Sequence, residues 1–204
     1  MADERSEIGG SGRFAAYIAA RQAAPPRPLL TRAAALVERK DRALDAGAGA
    51  LNATKYLLSV GFRHVTAFDS SPSSQKLAAE LPAGQVTFVP SRFEDFAFAP
   101  GACDIVNAEF CLPFMPREAF APVFGRMLGS VAPGGIFTGQ LFGPNDSWNT
   151  PERKMSFHTR AETEAFLQGF EIIELEEESH PGKTALGDEK YWHIFHIIAR
   201  RPPG

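Results

Sequence analysis

The spacing of apolar positions along the chain changes character near residue 42. Upstream, apolar residues recur every three or four positions and predict helices over residues 13–21 and 29–39. Downstream, short apolar runs alternate with helical patterns, and Thr159–Glu162 forms a capping box that predicts a further helix, to about residue 167. The other helices are predicted over residues 54–60, from residue 71, and over 116–128. Strands are predicted over residues 43–45, 64–68, 86–89, 104–106, 135–142, 170–175 and 191–199.

Strands that alternate with helices predict an α/β fold with a doubly wound, mostly parallel, seven-stranded Rossmann-like sheet. No helical pattern separates the last two strands, and their connection contains a Pro-Gly pair at 181–182. Because a parallel pair needs a long crossover, we expect these two strands to pair antiparallel and the C-terminal strand to run against the sheet. Residues 1–204 are expected to form a single domain.

The N-terminal segment, residues 1–28, has a glycine-rich end and a proline-rich end. Its predicted helix carries an apolar face of Phe14, Tyr17 and Ile18. We expect this segment either to close as a lid over the active site or to stay packed on the sheet. The glycines at its flexible end are Gly9, Gly10 and Gly12.

Composition and charge narrow the range of partners. The chain of 204 residues has 24 acidic and 21 basic side chains, a net charge of −3, so no nucleic-acid partner is expected. No apolar run approaches the roughly 18–20 residues that span a bilayer, and the acidic N-terminus is unlike a signal peptide. A cytoplasmic protein away from membranes, monomeric or homodimeric, is therefore expected. Cys103 and Cys111 match no metal or redox motif and are expected to be reduced and buried.

A glycine turn between the first predicted strand and the following helix is the sharpest chemical feature. Gly47 and Gly49 would let a ligand approach the backbone, and a side chain on Gly47 is expected to collide with that ligand while the fold survives. Asp45 would repel a pyrophosphate but suit an ammonium group. Asp69, at the end of the second predicted strand, is placed to accept both hydroxyls of a ribose. These features favour S-adenosylmethionine over a dinucleotide.

Four segments resemble the motifs of class I S-adenosylmethionine-dependent methyltransferases: LDAGAGAL (44–51), VTAFDSSP (65–72), SRFEDF (91–96) and DIVNAEFCLPF (104–114). Residues 156–200 loosely resemble small bacterial methyltransferases of the tellurite-resistance and thiopurine types. Leu51 stands where many members have a third glycine, and Arg92 stands where many have Asp. The cofactor-binding residues that the resemblance implies are Asp45, Gly47, Ala48, Gly49, Asp69, Ser70, Arg92, Phe93, Glu94 and Asn107.

The resemblance implies methyl transfer from S-adenosylmethionine to a small-molecule acceptor. A soft acceptor needs almost no base, whereas an oxygen or nitrogen acceptor needs a proton taker, for which Glu109, His158 and His193 are candidates. His158 and His180 are expected at the surface unless they line the acceptor pocket. His193 and His196 are expected on opposite faces of their strand, and no metal site is expected.

Two alternatives stay open at this point. One is a methyltransferase-like module that holds the cofactor or a partner without turnover, which the replaced third glycine and Arg92 favour. The other is a nucleotide-sugar or NAD-dependent enzyme on the same type of sheet.

Overall fold

Strands and helices alternate as the apolar pattern predicts. A computed structural model of the protein describes residues 11–204, so Gly9 and Gly10 lie outside the described residues. The strands are β1 (Arg42–Ala46), β2 (His64–Asp69), β3 (Val86–Pro90), β4 (Cys103–Ala108), β5 (Val131–Phe142), β6 (Glu171–Lys183) and β7 (Glu189–Arg200). The helices are α1 (Ser11–Arg21), α2 (Pro28–Ala35), α3 (Asn52–Ser59), α4 (Pro72–Ala78), α5 (Arg117–Gly129) and α6 (Arg160–Phe166).

The sheet has the order β3-β2-β1-β4-β5-β7-β6. β1 to β5 pair in parallel, whereas β7 runs antiparallel to both β5 and β6. The predicted fold class and the antiparallel C-terminal strand are therefore confirmed. The chain leaves β1 toward β2 on one side and reaches β4 on the other. The carboxyl ends of β1 and β4 consequently flank the switch point where ligands bind in such sheets.

Apolar residues from successive positions of one strand pack on opposite faces of the sheet. Leu44 and Val106 belong to the core beneath α5, and the neighbouring Ala43 and Ile105 belong to the core beneath α2 and α3. Both faces are thus covered, which explains why the central strands lack the polar alternation of half-exposed strands. No helix in the described part of the chain is long and apolar enough to cross a membrane.

Several helix ends follow the local sequence signals. The Ser71 side chain accepts a hydrogen bond from the Ser73 amide at the start of α4. Both reciprocal hydrogen bonds of the predicted capping box, between Thr159 and Glu162, are present at α6. α2 ends at Ala35, four residues earlier than predicted, and the Asp104 carboxylate holds the chain where it enters β1. It accepts hydrogen bonds from the backbone amides of Asp41 and Arg42, at 2.9 Å each.

The hairpin of β6 and β7 is longer than predicted. Pro181 and Gly182 lie within β6, opposite Tyr191 and Lys190, and not in the connecting loop. The turn itself is closed by hydrogen bonds between Thr184 and the following residues up to Asp188. Pro181 is compatible with β6 because that strand is the edge of the sheet, where one row of amides needs no partner strand.

Candidate functional site

The glycine turn lies at the carboxyl end of β1, beside the carboxyl ends of β2 and β4. Gly47 and Gly49 have φ of +63° and +49°, and Leu51 follows in the same left-handed region at 61°. Leu51 thus takes a backbone conformation that glycine adopts more easily, so the missing third glycine leaves the turn left-handed at that residue. The Ala48 amide donates a hydrogen bond to the Phe68 carbonyl, at 3.0 Å, and ties the turn to β2.

Gly47 is required by the protein's own packing. A Cβ built on Gly47 would lie 2.5 Å from the Cβ of Cys111 and 3.2 Å from the ring of Phe93. A larger residue at Gly47 would therefore disturb the fold, and the expectation of an intact fold is wrong. Cys111 is buried and free, as predicted, and burial raises the pKa of its thiol. Cys103 is partly exposed, because it lies at the start of β4 and not at its centre.

Asp45 links the glycine turn to α3 and to β4 through side-chain hydrogen bonds. Its buried carboxylate accepts hydrogen bonds from the Thr54 hydroxyl, at 2.6 Å, and from the Asn107 amide, at 2.9 Å. Burial raises the pKa of Asp45 to about 6, and the two hydrogen bonds oppose that rise. The side-chain nitrogen of Asn107 donates to Asp45, whereas its side-chain oxygen is buried and has no partner among the described residues. The turn therefore has a free acceptor atom on β4.

Asp69 closes the other side of the turn. One carboxylate oxygen accepts from the Gly49 amide, at 2.9 Å, and the other accepts from the Ser71 amide, at 2.8 Å. Burial raises the pKa of Asp69, and the two amides oppose the rise. Each carboxylate oxygen has a second lone pair, so Asp69 keeps the capacity to accept from a ligand. Ser70, next to it, is exposed.

The SRFEDF segment brings one of its predicted residues to the turn. The Phe93 ring packs edge-on against Phe68, with centroids 5.0 Å apart, and reaches Gly47. Arg92 is exposed and pairs with Glu94, at 3.6 Å. Arg92 and Glu94 therefore partner each other, while Phe93 lines the turn.

His193 already has a partner at each ring nitrogen. Its Nδ1 accepts a hydrogen bond from the Asn145 amide, at 3.1 Å, and its Nε2 lies 3.0 Å from the Glu177 carboxylate. The ring also packs flat against Gly143, where an added Cβ would lie 2.3 Å from Nδ1. His193 is thus held as a structural residue of the sheet.

His158 is buried, and the expectation that it lies at the surface is wrong. Its backbone amide donates to the Phe142 carbonyl, at 2.8 Å, which draws the ring inward between Phe120 and Phe166. Burial lowers the pKa of His158 to about 4, and neither ring nitrogen has a partner among the described residues. The imidazole is neutral at pH 7 and too weak a base to take a proton from an acceptor. His180 lies in β6 and pairs with Glu178.

Glu109 follows the last residue of β4 and stands near the switch point. Burial raises the pKa of Glu109 to about 7, while the nearby Arg27 charge opposes the rise. Its Oε1 is buried and has no partner among the described residues. Glu109 is the candidate proton taker that has a buried oxygen without a partner among the described residues, and its pKa suits a base at neutral pH.

A buried cluster of aromatic and charged residues at the ends of β5 and β7 was not predicted. Lys190 forms an ion pair with Asp146, and both side chains are fully buried. The Lys190 ammonium also lies 4.2 Å and 4.4 Å from the ring centroids of Trp148 and Trp192. The two tryptophans of the chain are the signal that could have drawn attention to this cluster.

The helix α1 lies across the glycine turn. Tyr17 is 4.0 Å from the position of a Cβ on Gly49, and Asn52 donates a hydrogen bond to the Arg21 carbonyl, at 2.6 Å. At the other end of α1, Arg13 pairs with Asp188 in the hairpin between β6 and β7. The helix thus contacts both sides of the sheet's carboxyl edge.

Comparisons with known proteins agree with this architecture. Residues 43–135 match the family model described as a methyltransferase domain. No curated protein matches the chain in sequence. The match confirms the resemblance to S-adenosylmethionine-dependent methyltransferases and supports S-adenosylmethionine as the cofactor.

Three solved structures illustrate the similarity. The 1,6-didemethyltoxoflavin-N1-methyltransferase of Burkholderia thailandensis is 23% identical, with a TM-score of 0.71 over 97% of this chain and 87% of that one. A methyltransferase bound to the Trm112 methyltransferase activator of Haloferax volcanii is 19% identical, with a TM-score of 0.70 over 99% of each chain. TehB of Haemophilus influenzae is 16% identical, with a TM-score of 0.71 over 86% of this chain and 62% of that one. At these identities the likeness concerns the fold.

Proposed function

We propose that this chain, whose residues 43–135 match the methyltransferase-domain family, binds S-adenosylmethionine at the glycine turn and methylates a small-molecule acceptor. The observation that carries the proposal is a pair of buried oxygens, Asn107 Oδ1 and Glu109 Oε1, which lie two positions apart at the end of β4 and have no partner among the described residues. Buried acceptor atoms are normally satisfied, so two orphans at a ligand-binding edge indicate partners supplied by ligands.

The residues of the turn fit this cofactor. Asp45 orients the Asn107 side chain, and Asn107 Oδ1 accepts a hydrogen bond from the ammonium group of the cofactor. Asp45 therefore acts through Asn107 and does not contact the ammonium group itself. Asp69 has lone pairs left for the ribose hydroxyls. A Cβ added to Gly49 would be in ordinary contact with the Gly47 carbonyl oxygen, at 3.9 Å, and with Tyr17, at 4.0 Å, so Tyr17 of α1 covers this part of the turn. In this proposal the adenine lies beside Phe93 and Ser70, with the Arg92–Glu94 pair at the rim of its site.

Glu109 acts in this proposal as the base. When bound, S-adenosylmethionine supplies a methyl group on a sulfonium leaving group. The acceptor's lone pair forms the new bond to the methyl carbon, the carbon–sulfur bond breaks, and the sulfur keeps its electron pair. The acceptor's proton passes to Glu109 Oε1. A carboxylate with a pKa near 7 is suited to this role at neutral pH.

A small acceptor is favoured by the surroundings of Glu109. One oxygen of the carboxylate is buried and lies within the influence of the Arg27 charge, and an enclosed oxygen of this kind is reached more easily by a small molecule than by a macromolecular surface. The similar Burkholderia enzyme is named for a small-molecule substrate, which supports the same class here. The single domain, the cytoplasmic location, the absence of a nucleic-acid partner and the monomeric or homodimeric state stay predictions.

Two measurements test the proposal against its alternatives. Isothermal titration with S-adenosylhomocysteine and with NAD should show binding of the first alone, whereas binding of NAD alone would contradict the cofactor assignment. Release of S-adenosylhomocysteine is then followed with thiol, amine, hydroxyl, heterocyclic and chalcogenide acceptors. Turnover with at least one acceptor is expected. Cofactor binding without any turnover would favour the non-catalytic module.

A further inference from the structure

Phe110 is held in an unusual backbone conformation beside the proposed base. Its φ of 55° lies in the left-handed region, which aromatic residues rarely adopt. The Phe110 amide donates a hydrogen bond to Gln140 Oε1, at 3.1 Å, and Gln140 is 1% exposed. This buried amide therefore fixes the backbone from which the ring projects, and strain of this kind persists where a site requires it.

Two aromatic residues pack against the ring of Phe110, and a planar cation lies on the face of that ring. Trp192 meets the ring nearly perpendicularly, with centroids 6.2 Å apart, and Phe142 lies 6.3 Å away. The guanidinium carbon of Arg27 lies 4.1 Å from the ring centroid. A guanidinium is flat and carries several N–H donors, and its charge acts on Glu109. Because Arg27 lies on the ring face, we infer that the face of Phe110 accepts a planar group that carries N–H donors.

We propose that the Phe110 ring and Glu109 Oε1 together bind a planar nitrogen heterocycle that carries a ring N–H, and that Arg27 occupies its place in the free protein. This inference rests on the proposed function and specifies its acceptor. The heterocycle stacks on Phe110 in place of the guanidinium and donates its N–H to Glu109. The ring nitrogen then forms the bond to the methyl carbon, the carbon–sulfur bond breaks, and the proton moves to Glu109 Oε1. Gln140, which accepts the hydrogen bond of the Phe110 amide, is the residue that positions Phe110.

The charge around the site disfavours the other acceptor classes. Asp45 and Asp69 are buried carboxyl groups at neighbouring strand ends, Glu109 has one buried carboxylate oxygen, and the charge of Asp45 acts on Glu109. A thiolate or selenide would bring a further negative charge into these surroundings. An alkyl amine or alcohol has no flat face that could replace the Arg27 guanidinium on the ring.

The test uses the full chain saturated with S-adenosylhomocysteine and follows tryptophan fluorescence, because Trp192 adjoins the ring. The probes are benzimidazole, 1-methylbenzimidazole, butylamine and propanethiol. Benzimidazole should bind at least tenfold more tightly than its N-methyl analogue, which lacks the N–H. Binding of butylamine or propanethiol without benzimidazole would overturn the inference.

The matched variants are Phe110→Gly and Phe114→Ala. Glycine adopts the left-handed backbone of residue 110 without strain, so the first variant removes the ring and keeps the turn. It should weaken benzimidazole binding at least tenfold and leave S-adenosylhomocysteine binding unchanged. Phe114 is 49% exposed, and its variant should bind both molecules normally. Unchanged benzimidazole affinity in Phe110→Gly would overturn the inference.

Two further results separate this inference from the proposed function. Arg27→Gln removes the competing guanidinium and should bind benzimidazole at least as tightly as the parent chain, and a tenfold loss would overturn the displacement. Failure of the parent chain to bind S-adenosylhomocysteine would contradict the proposed function itself. Normal S-adenosylhomocysteine binding with no heterocycle binding would contradict this inference alone.

Discussion

The two sides of the carboxyl edge are built in different ways. On the cofactor side, Asp45 to Gly49 and Asp69 lie at the ends of two paired strands and are joined mainly through backbone amides. On the acceptor side, side chains from separate parts of the sequence meet around Phe110, with Arg27 on its ring and Gln140 beneath it. A site formed by backbone amides suits a ligand that does not change, whereas a site formed by side chains can change its specificity through single substitutions. The comparison indicates that acceptor choice resides in the second region.

Glu109→Gln should produce the largest effect, because it removes the proposed base and keeps the shape. The turnover rate should fall about 10²- to 10⁴-fold, while the affinity for S-adenosylhomocysteine stays unchanged. The pKa of Glu109 is raised to about 7, so the parent rate should increase with pH up to about 7 and then level off. Glu38→Gln, at an exposed position, is the control. A variant that keeps the parent's rate and pH profile would exclude Glu109 as the base.

Lys190→Met tests whether the acceptor side depends on its buried ion pair. The substitution leaves the Asp146 carboxylate buried without its cation, which should cost about 3–5 kcal/mol in the free energy of unfolding. The double variant Lys190→Met/Asp146→Leu removes both charges and should recover most of that loss. Urea unfolding measures both. If the single and double variants are equally destabilised, the pair is not what holds Trp148 and Trp192 together.

Asp69→Ala tests the cofactor side. Loss of hydrogen bonds to a charged group should weaken S-adenosylhomocysteine binding by about 1.5–3 kcal/mol. Asp69 also holds the Gly49 and Ser71 amides, so Asp69→Asn, which keeps one acceptor oxygen, should lose less. Asp95→Ala, at an exposed position of the adjacent loop, is the control. Titration calorimetry gives the affinities, and equal values for all four proteins would remove Asp69 from the site.

The same comparison explains which features could be read from the sequence. The glycine turn and Asp69 were predictable because each motif is short and each strand ends at a recognisable residue. Glu109 was identifiable as the residue after β4. The contact of Phe110 with Gln140 joins residues 30 positions apart, and that of Lys190 with Asp146 joins residues 44 apart. Such contacts depend on strand register, which no local pattern specifies.

His158 shows the same limit in another form. Its neighbours in sequence are the polar start of α6, which predicts a surface position. The hydrogen bond of its amide to Phe142 turns the ring into the phenylalanine cluster instead. The burial of His158 depends on this contact between β5 and the following loop, and the local composition does not predict that contact.

The smallest expected effect concerns α1, which contacts the glycine turn and the hairpin of β6 and β7, and it decides whether this helix is a lid. The Arg13–Asp188 ion pair is exposed at both side chains, so Arg13→Ser should leave the global stability almost unchanged. If α1 opens and closes, the variant should raise amide exchange in residues 13–24 by a few fold. S-adenosylhomocysteine should slow exchange there in the parent chain and protect Arg21 from trypsin. A helix that is permanently packed would show equal exchange and equal cleavage with and without the ligand, in parent and variant alike. That outcome would make Tyr17 and the Asn52–Arg21 hydrogen bond fixed parts of the cofactor side.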